Sequence, residues 1–153
     1  MRAETLAMLL ERLAGWFKKF SGSRSGGASD VGAAGERAAE RFLRERHGFE
    51  VIARNWRHGR DEVDLVCRDG DVLVFVEVKA RSAGALVPGY YAVDRRKKRA
   101  LRRVIHAFLT SLKSRPRTFR FDVVEVEMHP GRPDQVLVFQ NIPLFPKGYH
   151  FVR

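Results

Sequence analysis

Apolar positions along the chain change period several times, and each change marks an element. From Met1 to Phe20, Leu6, Leu9, Leu10, Leu13, Trp16, Phe17 and Phe20 recur at i, i+3, i+4 and i+7, with Arg12, Lys18 and Lys19 among them. That spacing predicts an amphipathic helix. Residues 21–30 (SGSRSGGASD) are rich in Gly and Ser and read as a flexible linker, so the main domain is placed over 31–153. Its first element, Gly35–His47 (GERAAERFLRERH), has a helical stripe at Ala39, Phe42 and Leu43 and stops at Gly48. Phe49–Asn55, Glu62–Cys67 and Val72–Lys79 read as strands, the last two joined across Asp69-Gly70, a hairpin signal. A loop with Gly84, Pro88 and Gly89 follows, and Asp94 then N-caps a long helix reaching about Lys113. Phe119–Glu127 and Gln135–Gln140 add two strands. The order α-β-β-β-α-β-β predicts an α/β or α+β domain with a central mixed β-sheet flanked by helices.

Composition narrows the setting. With 153 residues, 44% of them apolar and eleven Phe, the chain can build one real core, so wholesale disorder is excluded. The single cysteine, Cys67, excludes an intrachain disulfide framework and a cysteine-based zinc site; it fits a reducing compartment, so a cytoplasmic location is expected. No apolar run approaches the roughly 18 residues of a membrane span. The start lacks a secretory pattern, because Leu6–Leu10 is flanked by Glu4 and Glu11. The formal charge of +11 is carried mainly by Arg. A planar guanidinium fork suits phosphate, so nucleic acid is the leading partner class and an anionic membrane surface the lesser one. The amphipathic 1–20 segment could dock on a membrane surface or a protein partner, or pack on its own domain.

The chemistry concentrates in Asp61–Lys79, DEVDLVCRDGDVLVFVEVK. Strict alternation puts Glu62, Asp64 and Val66 on one face of their strand, and Leu73, Phe75, Glu77 and Lys79 on one face of the next. A two-residue turn at Asp69-Gly70 would oppose Asp64 to Phe75 and Glu62 to Glu77. Asp64 and Glu77 then become diagonal neighbours ~7–8 Å apart, close enough to share a cation. The surrounding LVFV is the composition of a buried strand, where charges are costly unless paired or metal-bound. Oxygen-only ligation points to Mg²⁺ or Mn²⁺, and such an ion beside Lys79 meets the needs of phosphodiester hydrolysis. For Glu77 and Lys79 alone, a cross-strand salt bridge is the plainer reading. Glu36 lies within about 20° of Leu43 on its helical wheel and can supply a third carboxylate, or simply complement the helix dipole. In the second helix, seven of the nine residues 95–103 are basic. Arg95, Arg96, Lys98, Arg99, Arg102 and Arg103 are candidates for phosphate contact. Lys97 leads the apolar stripe Leu101-Val104-Phe108 and can reach the carboxylates instead. Cys67 falls on the Val63-Leu65 face as a core thiol, and Trp56 and Tyr90-Tyr91 offer rings that either stack on bases or pack.

Several stretches together, GERAAERFL, RNW, DEVDLV, DGDVLVFVEVKAR, AVDRRKKRALRR and FRFDVVEVE, resemble the YraN-like bacterial proteins over roughly Val31–Ile142. Those proteins are grouped with the PD-(D/E)XK nucleases through similarity to archaeal Holliday-junction resolvases. The resemblance implies an α/β restriction-endonuclease-like core and metal-dependent endonucleolytic cleavage of DNA, structured or branched DNA included. It implies Asp64 and Glu77 as metal ligands, Lys79 acting on the attacking water, and Glu36 as the helix carboxylate. Glu62 and Lys97 match supporting positions. A homodimer would suit a junction with two symmetric strands. Asp61 departs from the family's usual Gly, and the N-terminal amphipathic helix is extra. The contrasting expectation is a nucleic-acid-binding module without catalysis, whose acids are structural.

Overall fold

The computed structural model describes residues 30–83, 94–114, 116–146 and 149. The helix expected over 1–20, nearly all of the 21–30 linker, the loop around Gly84, Pro88 and Gly89, and the Tyr90-Tyr91 pair lie outside the described residues. The described chain runs α1 (Asp30–His47), β1 (Glu50–His58), β2 (Asp61–Asp69), β3 (Val72–Ser82), α2 (Arg95–Ser111), β4 (Thr118–Met128) and β5 (Gln135–Phe139). The strands form one sheet in sequence order, antiparallel except for the parallel pair β3·β4. The described residues form an α/β fold with a five-stranded mixed sheet and two helices.

A helix packs on each face. α2 starts where Asp94 accepts a hydrogen bond from the Lys97 backbone N–H at 2.7 Å. Its stripe of Leu101, Val104, Ile105, Phe108 and Leu109 is buried against Val66, Leu73, Phe75, Phe121 and Val123. α1 covers the opposite face with Ala38, Ala39 and Leu43 against Leu65, Cys67, Val74, Val76, Val124 and Val126. The small residues on α1 matter most at its first turns. Gly35 lies so close to Ala80 of β3 that an added Cβ would collide with the Ala80 Cβ.

Two departures from strict sequence periodicity position the site. The first is the hairpin register. Asp69 pairs with Val72 and Val66 with Phe75, so the turn is Gly70-Asp71 rather than Asp69-Gly70. Gly70 has φ +56, and a positive φ at the first turn position alone is the requirement of a II′ turn. Moving the turn by one residue shifts the register by two, which preserves the faces. Carried one step past its last pair, Leu65↔Val76, this register points Asp64 at Glu77 rather than diagonally past it.

The second departure lies where β1 and β2 change phase together. Ala53 and Trp56, three apart, contact the same α2-side core, and so do Val63 and Val66. Strict alternation forbids both. Asn55, with φ +46, sits between the pairs Arg54↔Leu65 and Trp56↔Val63, opposite Asp64. One left-handed residue in β1 resets the side-chain phase, and Asn tolerates that conformation better than most residues. Leu65 and Cys67 therefore share the α1 side while Val63 turns to the α2 side, which corrects the common Val63-Leu65-Cys67 face. The same break ends the single face drawn for Glu62, Asp64 and Val66. Asp64 stands at the break.

Candidate active site

At the phase break the β2·β3 ladder stops, its last pair being Leu65↔Val76. Beyond it a side chain takes over from the backbone, for the Val78 N–H donates to Asp64 Oδ2 at 2.7 Å. Glu77, 2% exposed, points to the α2 face. Two ammonium groups converge on its Oε1: Lys79 Nζ at 2.9 Å and Lys97 Nζ at 2.9 Å. Lys97 thus leads the apolar stripe of α2 into the carboxylates. From the other face of the sheet, Glu36 Oε2 accepts a hydrogen bond from Asn55 Nδ2 at 3.0 Å. The residue that resets the strand phase also holds the helix carboxylate.

The electrostatics are those of a crowded site. Burial and the Glu77 charge push Asp64 up from 3.8 to about 7, against the pull of the Val78 N–H and Lys97, while Glu36 adds to the push. Burial alone would lower Lys97, yet Glu77, Asp64 and Glu62 outweigh it and hold its ammonium above the ordinary value. Asp64 carries a stability consequence. Its folded pKa exceeds its unfolded value, so its favourable contribution is complete below about pH 4 and is lost as pH rises through about 7. In the metal-free protein the gap in thermal midpoint between Asp64→Asn and wild type should therefore widen from pH 4 to pH 8. Thermal melts at matched ionic strength check this, and a pH-independent gap would contradict it.

Glu62 binds Arg57, with Oε2 at 2.7 Å from Nε and 2.6 Å from Nη2. Its Oε1 and the Oε2 of Glu77 are buried with no hydrogen-bond partner. Bare carboxylate oxygens in a buried cluster are costly unless a cation meets them. Among the described residues no three His, Cys, Asp or Glu side chains converge into a ready cage. An Mg²⁺ or Mn²⁺ ion would need no such cage, since one or two carboxylates with waters and substrate phosphate can hold it. The residues present fit such an ion.

The basic run divides into two groups. Arg95, Arg96 and Arg99 are exposed and Lys98 is half-buried on the first turns of α2. Arg102 donates from Nε to the Leu144 carbonyl at 2.5 Å. Arg103 grips the buried carboxylate of Asp61 with Nε and Nη2 at 2.7 and 2.9 Å, holding Asp61 below the usual carboxylate range. The Asp61 charge is thereby tied to α2 rather than left beside the cluster. Burial raises Cys67 to about 12, so it remains an inert thiol.

Three residues of the site escape a reading by periodicity. Asn55 is visible only as an Asn inside a strand; Asp61 finds its partner 42 residues away. Glu125 is 3% exposed and aligned with Lys79 in the parallel pair β3·β4, with Arg81 Nη2 at 4.0 Å. Its signal is a carboxylate within the apolar run FDVVEVE.

With this geometry the chain can be set beside known proteins. Uncharacterised protein family UPF0102 matches residues 35–126, from the Gly35 turn of α1 through most of β4. A UPF0102 protein of Symbiobacterium thermophilum is 45% identical over 111 residues, covering 72% of this chain and 93% of that one. One from Beutenbergia cavernae is 49% identical over 96 residues, 63% of this chain and 80% of the relative. One from Nocardia farcinica is 40% identical over 109 residues, 71% and 85% respectively. Every residue of the cluster, from Glu36 to Lys97, falls inside the matched span, and the chain belongs to the bacterial family UPF0102.

Proposed function

We propose that this protein is a divalent-metal-dependent endonuclease of the PD-(D/E)XK type, acting on DNA and suited to branched or otherwise structured DNA. The observation that carries the reading is the end of the β2·β3 ladder, where Asp64 takes the Val78 N–H, Lys79 pairs with Glu77 and a buried Glu77 oxygen lacks a partner. Asp64 and Glu77 would hold Mg²⁺ or Mn²⁺. The chemistry such an ion supplies is charge neutralisation at the phosphate and acidification of water. Lys79 orients the attacking water and balances the charge that develops on the phosphate. Lys97 pairs with Glu77 from α2, and Glu36, fixed by Asn55, adds negative potential from the α1 side. Glu62 lends a further oxygen. Arg95, Arg96, Lys98 and Arg99 track the phosphate backbone beside the carboxylates. Arg102 and Arg103 support that surface by fixing α2 to Leu144 and Asp61.

Metal uptake is a direct test. Mn²⁺ titrated calorimetrically into the full-length protein at pH 6.5 should bind saturably with net proton release, because Asp64 must ionise. Glu77→Gln should weaken it at least about tenfold. Equal affinity in wild type and Glu77→Gln would remove Glu77 from the ion's coordination. A second reading, a nucleic-acid-binding protein without catalysis, draws on one observation: Lys79 and Lys97 already neutralise Glu77. It predicts salt-sensitive DNA affinity that is indifferent to metal.

A further inference from the structure

The far end of the same sheet face holds a cavity of about 580 Å³, within the roughly 300–1,000 Å³ of small-ligand clefts. Its walls come from the start of β4, the end of α2 and the segment after β5. Three rings line it in a connected set: Phe119 meets Phe145 edge-on at 5.6 Å, and Phe145 stacks on Tyr149 at 4.4 Å and 24°. None of the three is fully buried. Tyr149 is placed by its hydroxyl, 3.4 Å from His106 Nδ1 on α2. Asn141, exposed on the wall, is fixed by its backbone: its N–H donates to the buried Asp122 at 2.8 Å. Arg117 is exposed at the rim.

We propose that this cavity is a subsite for one unstacked nucleobase of a bound DNA strand. The inference rests on the DNA reading above. A nucleobase is a flat ring with amide-like edges, and the cavity is lined by aromatic side chains and an Asn. Aromatic rings stack on any base, Asn can pair with a base edge, and Arg117 is placed to meet the adjoining phosphate. The position suits a strand already held at the carboxylates. Phe119 pairs with Leu73 and Val123 with Glu77, so the subsite lies four residues along the strands from Glu77. At ~3.3 Å per residue that is ~13 Å, or about four nucleotides at ~3.4 Å each. A base unstacked at that distance from the cleavage site is a feature of branched or single-stranded DNA, not of an intact duplex.

The test measures binding in EDTA, which separates it from catalysis. Full-length wild type, Tyr149→Ala and Tyr149→Phe are titrated with a single-stranded oligonucleotide carrying 2-aminopurine and with a blunt duplex of equal length. The expected result is a change in 2-aminopurine emission with wild type. Tyr149→Ala should lose about tenfold in single-strand affinity, the scale of one base–aromatic stack. Tyr149→Phe should keep it, and duplex affinity should stay within about twofold for all three. If Tyr149→Ala binds the single strand like wild type, or loses duplex affinity equally, the base subsite is wrong while the DNA reading stands. If wild type binds neither probe, both readings fall.

Discussion

Asp64→Asn should reduce phosphodiester cleavage by about 10²–10³-fold or more while making the metal-free protein more stable at neutral pH. The two effects have one cause. Asp64 sits half-buried at the end of the β2·β3 ladder beside Glu77, with its pKa pushed up to about 7. An amide keeps an oxygen for the Val78 N–H and removes the repulsion between two carboxylates. Folding then no longer takes up a proton, and the melting temperature at pH 8 should rise by about 2–4 °C for each kcal/mol recovered in a chain of this size. A charge kept at such a cost, which an amide would relieve, is what a cation site requires. Cleavage rates and thermal melts on the same preparation check the pair. A less stable, inactive variant would point to ordinary structural damage, and an active one would remove Asp64 from the site.

Gly35→Ala should cost about 2–3 kcal/mol, near the top of the usual range for overpacking, and should disable the site as well. The new Cβ meets the Ala80 Cβ, with the Ala80 Cα at 3.4 Å, so relief requires α1 to lift from β3 rather than a rotamer change. Glu36 is the next residue, and its hydrogen bond to Asn55 depends on that close approach. The companion change Ala80→Gly removes the obstacle. The double variant should regain most of the lost stability, less the about 0.5–1 kcal/mol that a glycine costs in a strand. Denaturant melts of the two singles and the double give the coupling directly. Additive losses would show that the helix is not held by this contact.

Much of the frame can be read in the chain. Asp94 is a recognisable N-cap, and the apolar stripe from Leu101 to Leu109 faces the sheet as its spacing demands. The strand run LVFV between Asp71 and Glu77 is buried as its composition implies. What escapes is conformational. A turn taking its positive φ at the first position instead of the second moves the register by two, and Gly70 allows either. The phase reset at Asn55 belongs to no local pattern, because it needs one left-handed residue opposite a partner strand that breaks at the same level. Long-range pairings such as Arg103 with Asp61 are set by helix placement, so the basic run alone cannot say which guanidinium groups remain for phosphate. Glu36, Asp64, Glu77 and Lys79 are each legible as candidates, and so is the approach of Asp64, Lys79 and Lys97 to Glu77. The hold of Asn55 on Glu36 and the hand-over of the Val78 N–H to Asp64 are not, since they depend on the placement of α1 and on the broken ladder.

The most direct measurement incubates the full-length protein with single-stranded, duplex, flapped and four-way-junction DNA in Mg²⁺, Mn²⁺ or EDTA, beside Lys79→Ala. The account predicts metal-dependent cuts that vanish in EDTA and in the variant, with branched or flapped DNA cut in preference to intact duplex. Binding across the panel without any metal-dependent cleavage would contradict it. The carboxylate and lysine cluster would then be the anchor of a nucleic-acid-binding domain.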